Sequence, residues 1–146
     1  VPEKAKNPQE GLGGKGKLLL MDDEDMILEV GNDILTLLGY NVVKAHNGEE
    51  AIELYVAAKQ SGEPFHAIIM DLTIPGGMGG KEAIQKLKHI DPDVKAIVSS
   101  GYSNDPVMAD YINQGFSGVI IKPYRIDDLG RMLQKILAPS SSHGNS

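Results

Sequence analysis

Four apolar runs in this chain each stop at residues able to do chemistry. Ala67-Ile68-Ile69-Met70 closes on Asp71, and Lys17-Leu18-Leu19-Leu20-Met21 closes on Asp22-Asp23-Glu24-Asp25. Lys95-Ala96-Ile97-Val98-Ser99 leads into Ser100-Gly101-Tyr102, and Gly118-Val119-Ile120-Ile121 closes on Lys122-Pro123. Singly, each has an ordinary explanation: a turn-capping aspartate, a solvated acidic helix start, a turn serine, a surface lysine. Jointly they describe a reaction centre. Carboxylates brought together repel and raise one another's pKa, a conflict that a divalent cation removes. Carboxylate and carbonyl oxygens suit Mg²⁺ (or Mn²⁺), which takes one or two protein carboxylates and keeps several waters. A hydroxyl and an ammonium opposite, from Ser100 and Lys122, suit the remaining oxygens of a phosphoryl group. Phosphoryl transfer is chiefly positioning and charge neutralisation, and a central carboxylate can itself be the nucleophile. These residue types point to metal-assisted phosphorylation of Asp71.

The groups meet only if the runs that carry them lie parallel in one sheet. Continuous apolar runs rich in branched residues read as strands buried on both faces. A short strand at Asn41–Ala45 makes five. Between them the 3.6-residue period predicts five helices. The first is capped by Asp25, carries apolar residues at 27, 28, 30, 34, 35, 37 and 38, and ends at Gly39. The second opens at Asn47-Gly48 and stops at Ser61-Gly62-Glu63-Pro64; the third runs from about Gly80 to His89. The fourth, capped by Asn104 or Asp105 with Pro106 near its start, runs to about Gln114, and the fifth from about Ile126 to Leu137. Strands alternating with helices predict a doubly wound α/β protein with a parallel sheet. All strand carboxyl ends then gather on one edge, where ligands of such sheets bind.

Composition bounds the function. The 146 residues suit one domain, 17–138, between a flexible linker at 1–16 and a disordered tail at 139–146. A net charge of −6, no Trp and 5% aromatic content argue against direct nucleic-acid binding. With no Cys there is no disulfide or thiolate site, which fits a cytoplasmic protein. No apolar run is long enough to span a bilayer, so no membrane contact by this domain is expected. The four His have no metal-ligand spacing. Gly76, Gly77, Gly79 and Gly80 match no P-loop or dinucleotide fingerprint, and the expectation is that they give their loop mobility.

The acidic pair Asp22-Asp23, Asp71 with Pro75 and Gly79 behind it, Ser100, and Lys122-Pro123 resemble the motif set of receiver domains of two-component response regulators. The resemblance covers about Lys17 to Ala138. It implies a flavodoxin-like fold with strand order 2-1-3-4-5, and a phosphoacceptor role for Asp71 fed by a phosphohistidine. It implies Asp23 as the main Mg²⁺ ligand, Asp22 acting largely through water, and Asp71 with the Thr73 backbone carbonyl completing the shell. Ser100 would follow the phosphoryl group, Lys122 would bind one of its oxygens, and the bond to Pro123 would be cis. The output would be a change in the face made by the fourth helix, fifth strand and fifth helix.

One position departs from the pattern. Where receivers often carry an aromatic ring that turns inward on activation, this chain has Val119, leaving Tyr102 and Tyr124 on the same edge as candidates to carry that signal. Thr73 and Tyr102 stand at positions that tune phosphate lifetime in the family. The wording around Asp71 and Ser100 is similar to receivers at the carboxyl end of hybrid sensor histidine kinases, with a free-standing regulator as the other origin. The implied partners are a histidine kinase or histidine-phosphotransfer domain; homodimerisation on phosphorylation is left open. The competing class is a haloacid-dehalogenase-type phosphohydrolase. That chemistry needs a second Asp two residues after the nucleophile, where this chain has Thr73.

Overall fold

The computed structural model describes residues 16–101 and 104–138. The expected linker up to residue 15, the tail 139–146, His143 and Tyr102 lie outside the described residues. In chain order the elements are β1 (Lys17–Met21), α1 (Asp25–Leu37), β2 (Asn41–Ala45), α2 (Gly48–Ser61), β3 (Ala67–Asp71), α3 (Gly80–Ile90), β4 (Ala96–Ser100), α4 (Pro106–Ala109), α5 (Tyr111–Gln114), β5 (Gly118–Ile121) and α6 (Ile126–Leu137). The five strands pair in parallel in the order β2-β1-β3-β4-β5, the expected 2-1-3-4-5.

The alternation of side chains along each strand divides the core into two layers. Leu19, Met21, Ile68, Met70 and Val98 face the layer that α2 and α3 cover with Ala51, Tyr55, Ala83, Ile84 and Leu87. Leu18, Leu20, Ile69, Ile97 and Ile120 face the other, covered by Leu28 and Leu35 of α1 and by Leu129 and Leu133 of α6. The central strand β3 is therefore buried at all five positions, which is why it reads as an unbroken apolar run.

Local signals set most boundaries. The Asn47 side chain accepts from the Glu50 N–H at 2.8 Å to cap α2, and Asp105 accepts from the Val107 N–H at 2.9 Å to cap α4 ahead of Pro106. α2 ends on Gly62 at φ +87°, a left-handed conformation open to glycine at no steric cost.

Three expectations are corrected. Asp25 does not cap α1: Glu24 holds the cap position with no side-chain bond, while Asp25 begins the helix and its carboxylate lies 3.3 Å from His46 Nε2. Val30 and Leu37 are exposed rather than core residues, because 100° per residue sets them with Met26 on the outer stripe, opposite Leu28 and Leu35. The single fourth helix is two one-turn pieces. Asp110, at φ −112° and ψ 32°, leaves helical geometry, and its carboxylate bonds the Asn113 amide at 2.7 Å instead. Local bonding of this kind is what makes Asp a poor residue inside helices.

Candidate metal and phosphoryl site

The strand pairing delivers the reactive groups to one edge. Asp22 follows β1 directly, and its N–H donates to the Ala45 carbonyl at 3.1 Å, so the β1–β2 ladder continues one residue into the site. Its side chain is fully buried; Oδ1 accepts from the Glu24 N–H at 2.9 Å and Oδ2 from Lys122 Nζ at 3.0 Å. Asp71 ends β3 at 8% exposure, in register with Ser99 of β4. Asp23 is exposed. Asp22, Asp23 and Asp71 each present a carboxylate oxygen, all within 4.8 Å of one another.

Lys122 follows β5, and its N–H donates to the Ser100 carbonyl at 2.8 Å; the Lys122-Pro123 bond is cis. Its Nζ bridges the two buried carboxylates, 3.0 Å from Asp22 Oδ2 and 3.3 Å from Asp71 Oδ1. Burial pushes the Asp71 carboxyl up to about 6, and the Asp22 charge adds to the rise; Lys122 opposes it. For Lys122 burial works against the charged form, but the carboxylates of Asp22 and Asp71 outweigh it and its pKa is raised.

Of the remaining sequence candidates, Ser100 is buried at the end of β4 and Thr73 is exposed on the loop after β3. Val119 is half-buried on β5 and packs toward the α2–α3 layer, and Pro123 is exposed. Two of the four loop glycines, Gly79 and Gly80, have a packing role that the sequence does not reveal. A Cβ on Gly79 would stand 2.5 Å from the Leu72 carbonyl and 2.9 Å from the Thr73 Cα, and one on Gly80 would stand 2.9 Å from the Asp71 carbonyl. The loop folds back on the end of β3 so tightly that only glycine fits, and this fixes the backbone at Thr73. The Gly48 N–H donating to the Met78 carbonyl at 2.7 Å pins the same loop to the start of α2.

Sequence reasoning missed Ser99 and misplaced Tyr124. Tyr124 does not present itself on the edge; it is buried against α1 and α6, with its hydroxyl 3.0 Å from Ser99 Oγ. The signal available was the hydroxyl at position 99, on a strand face otherwise filled by Ile97. A groove of about 790 Å³ runs from Thr73 and Met78 along α3 to Gln114, and neither Asp71 nor Lys122 lines it.

A doubly wound parallel sheet with an acidic, lysine-bridged cluster at its carboxyl edge defines a class of phosphoryl-accepting proteins built on the receiver architecture. The model of the response regulator receiver domain matches residues 18–134, and the chain belongs to that family. It is similar to the chemotaxis protein CheY of Thermotoga maritima, 32% identical over 121 residues that span 82% of this chain and 96% of the relative. The sensor kinase CckA of Brucella abortus is 29% identical over 86% of this chain, which spans 13% of that protein. Among solved structures, the receiver domain of a sensor histidine kinase from Pseudomonas aeruginosa, with a magnesium ion coordinated in its active-site cleft, superposes with a TM-score of 0.72 at 22% identity, covering 86% of this chain and all of that one. The chain is thus a receiver domain, a signalling switch of two-component systems. The dehalogenase reading finds no support: an exposed Thr73 stands where its second carboxylate would be.

Proposed function

We infer that Asp71 is the phosphoryl acceptor of this domain, and that Asp22, Asp23, Asp71 and the Thr73 backbone carbonyl hold Mg²⁺ (or Mn²⁺) beside it. The observation that carries this reading is the meeting of three carboxylates within 4.8 Å, with the Lys122 ammonium bridging Asp22 and Asp71. The donor set is all oxygen, and Asp71 is pushed up to about 6 by burial and by Asp22, so the cluster is short of positive charge. Both properties fit a hard divalent ion, which when bound would neutralise phosphoryl oxygens.

The chain's own groups account for the rest of the chemistry. Above pH 6 the Asp71 carboxylate is ionised and offers one oxygen for in-line attack on the phosphorus of a phosphohistidine. The P–N bond breaks, its electron pair stays on the imidazole, and the imidazole takes up a proton as it leaves. The Lys122 ammonium turns from carboxylate to phosphoryl oxygen, and Ser100 supplies a hydroxyl from the neighbouring strand end. The product carries about −1.5 to −2 additional charges beside Asp22 and Asp23, which biases the surface formed by α4, α5, β5 and α6. Ile112 and Ile121 are exposed there, at 70% and 41%, as a surface for read-out.

The donor is a histidine kinase or histidine-phosphotransfer domain. Likeness to a sensor kinase supports origin in a hybrid kinase, and likeness to CheY over nearly its whole length supports a free-standing regulator; both use the same site. A cytoplasmic setting fits this role, and no described helix is long and apolar enough to cross a membrane. The test is intact mass after incubation with acetyl phosphate and Mg²⁺. A gain of roughly 80 Da on the parent, absent from Asp71→Asn and absent in excess EDTA, is expected. A gain on both proteins would mean that another residue is the nucleophile.

A further inference from the structure

Two hydroxyls meet in the core, just beneath the acidic cluster. Ser99 is fully buried, Tyr124 is 7% exposed within the layer that α1 and α6 cover, and their oxygens are 3.0 Å apart. Core filling does not require them, since a buried hydroxyl costs desolvation that its bond only offsets. Their placement gives them a use. Ser99 is the register partner of Asp71, and its carbonyl accepts from the Leu72 N–H at 2.8 Å, one residue beyond the acceptor carboxylate. Tyr124 lies two residues beyond Lys122, whose own N–H is bound to the Ser100 carbonyl at 2.8 Å. The corner carrying Lys122 is therefore tied to β4 at two points, one on each side of Pro123. On its far side the Tyr124 ring rests on α1, where a Cβ at Gly31 would come within 3.2 Å of two ring carbons. Burial pushes the phenol's pKa up and the Asp22 and Asp71 charges add to the rise; the bond to Ser99 opposes it without cancelling it, so Tyr124 stays a neutral hydroxyl throughout the working range.

We propose that Tyr124 is a positioning residue for phosphoryl acceptance: its bond to Ser99 fixes the corner after β5 so that the Lys122 ammonium is held over Asp71. Lysine has a long, flexible stem, so where Nζ sits over Asp71 depends on its backbone anchor as well as on the Asp22 carboxylate that it bonds. Freeing one of the two ties lets the corner tilt from β4, and an ammonium misplaced by a fraction of an ångström no longer meets the charge that develops on the phosphoryl oxygens. The proposal rests on Asp71 being the acceptor.

The test compares Ser99→Ala, Tyr124→Phe, the double variant and Ser99→Thr, with acetyl phosphate as donor and acetate as leaving group. The double variant removes both hydroxyls and leaves neither unsatisfied, so its melting temperature should stay within about 2 °C of the parent. Its Mg²⁺ dissociation constant should also hold, while its initial rate of phosphoryl acceptance falls about fivefold or more. The single variants should lose a similar factor, because each breaks the same bond, and Ser99→Thr should keep the parent rate. A double variant that accepts at the parent rate overturns the proposal, since the pair would then only satisfy its own hydrogen bonds. Equal losses in rate, metal affinity and melting temperature overturn it as well. A parent that gains no mass at Asp71 overturns the acceptor reading and this proposal with it; a parent that gains it beside an equally active double variant overturns this proposal alone.

Discussion

Asp71→Asn should make the metal-free protein more stable. The carboxyl moves from an ordinary value near 3.8 to about 6, because it is buried and faces Asp22. A rise of about 2 units means that the ionised form is disfavoured in the folded state by roughly 3 kcal/mol. The folded protein binds this proton more tightly than the unfolded chain, so stability falls as pH rises from about 4 to 6, and the full penalty persists above pH 6. Asparagine keeps the shape and removes the charge. That penalty is already net of the attraction to Lys122, which the variant forfeits. The expected net gain at pH 7.5 is about 1 to 3 kcal/mol, or roughly 4 to 10 °C for a domain of this size. At pH 4.5 the penalty on the parent shrinks to about 1 kcal/mol, and the difference between the proteins should shrink with it. Urea unfolding in EDTA at the two pH values measures both quantities. Saturating Mg²⁺ should narrow or invert the difference, since a ligand at 100 times its Kd stabilises the parent by about 2.7 kcal/mol. An Asn variant no more stable than the parent at pH 7.5 in EDTA would refute the electrostatic reasoning.

Other variants separate the parts of the site. Lys122→Met removes the cation from a fully buried Asp22, so it should destabilise by about 3 kcal/mol in urea titrations and slow phosphoryl acceptance by a hundredfold or more. Gly79→Ala would drive a methyl group to 2.5 Å from the Leu72 carbonyl; the loop must shift, and Mg²⁺ affinity should drop about tenfold or more while far-ultraviolet dichroism stays the same. Asn47→Ala deletes the α2 cap and should cost about 1 kcal/mol in thermal unfolding, with the phosphorylation rate unaffected.

The ends of the apolar runs carried most of what could be read from the sequence. Asp22, Asp71, Ser100 and Lys122 each sit at or just past a strand end, and a parallel sheet has only one edge for such ends to share. The alternation of apolar strands with amphipathic helices fixed that parallel arrangement in advance. What escaped depends on contacts between residues far apart in the chain. The 3.6-residue period marks Val30 and Leu37 as apolar, but only the positions of α6 and the sheet decide that Leu28 and Leu35 are the ones buried. The close packing at Gly79 is invisible until the loop returns to β3, and a serine next to the motif serine carries no mark of a tyrosine 25 residues away. The break at Asp110 was local and readable, yet a run of helix-compatible residues on either side concealed it.

The order in which the parts of the site leave the ribosome has a consequence for biosynthesis. Asp22 and Asp71 are made early, and the lysine that bridges them is contributed by β5, the outermost strand on its side of the sheet and the last one synthesised. A nascent chain that has assembled β1 to β4 therefore carries a pair of aspartates with no built-in counter-charge. On the reading that Lys122 meets the phosphoryl oxygens, full competence to accept phosphate waits for β5 to zip onto β4 and seat that ammonium. Chains that stop short of β5, however well packed around the central strand, would lack it.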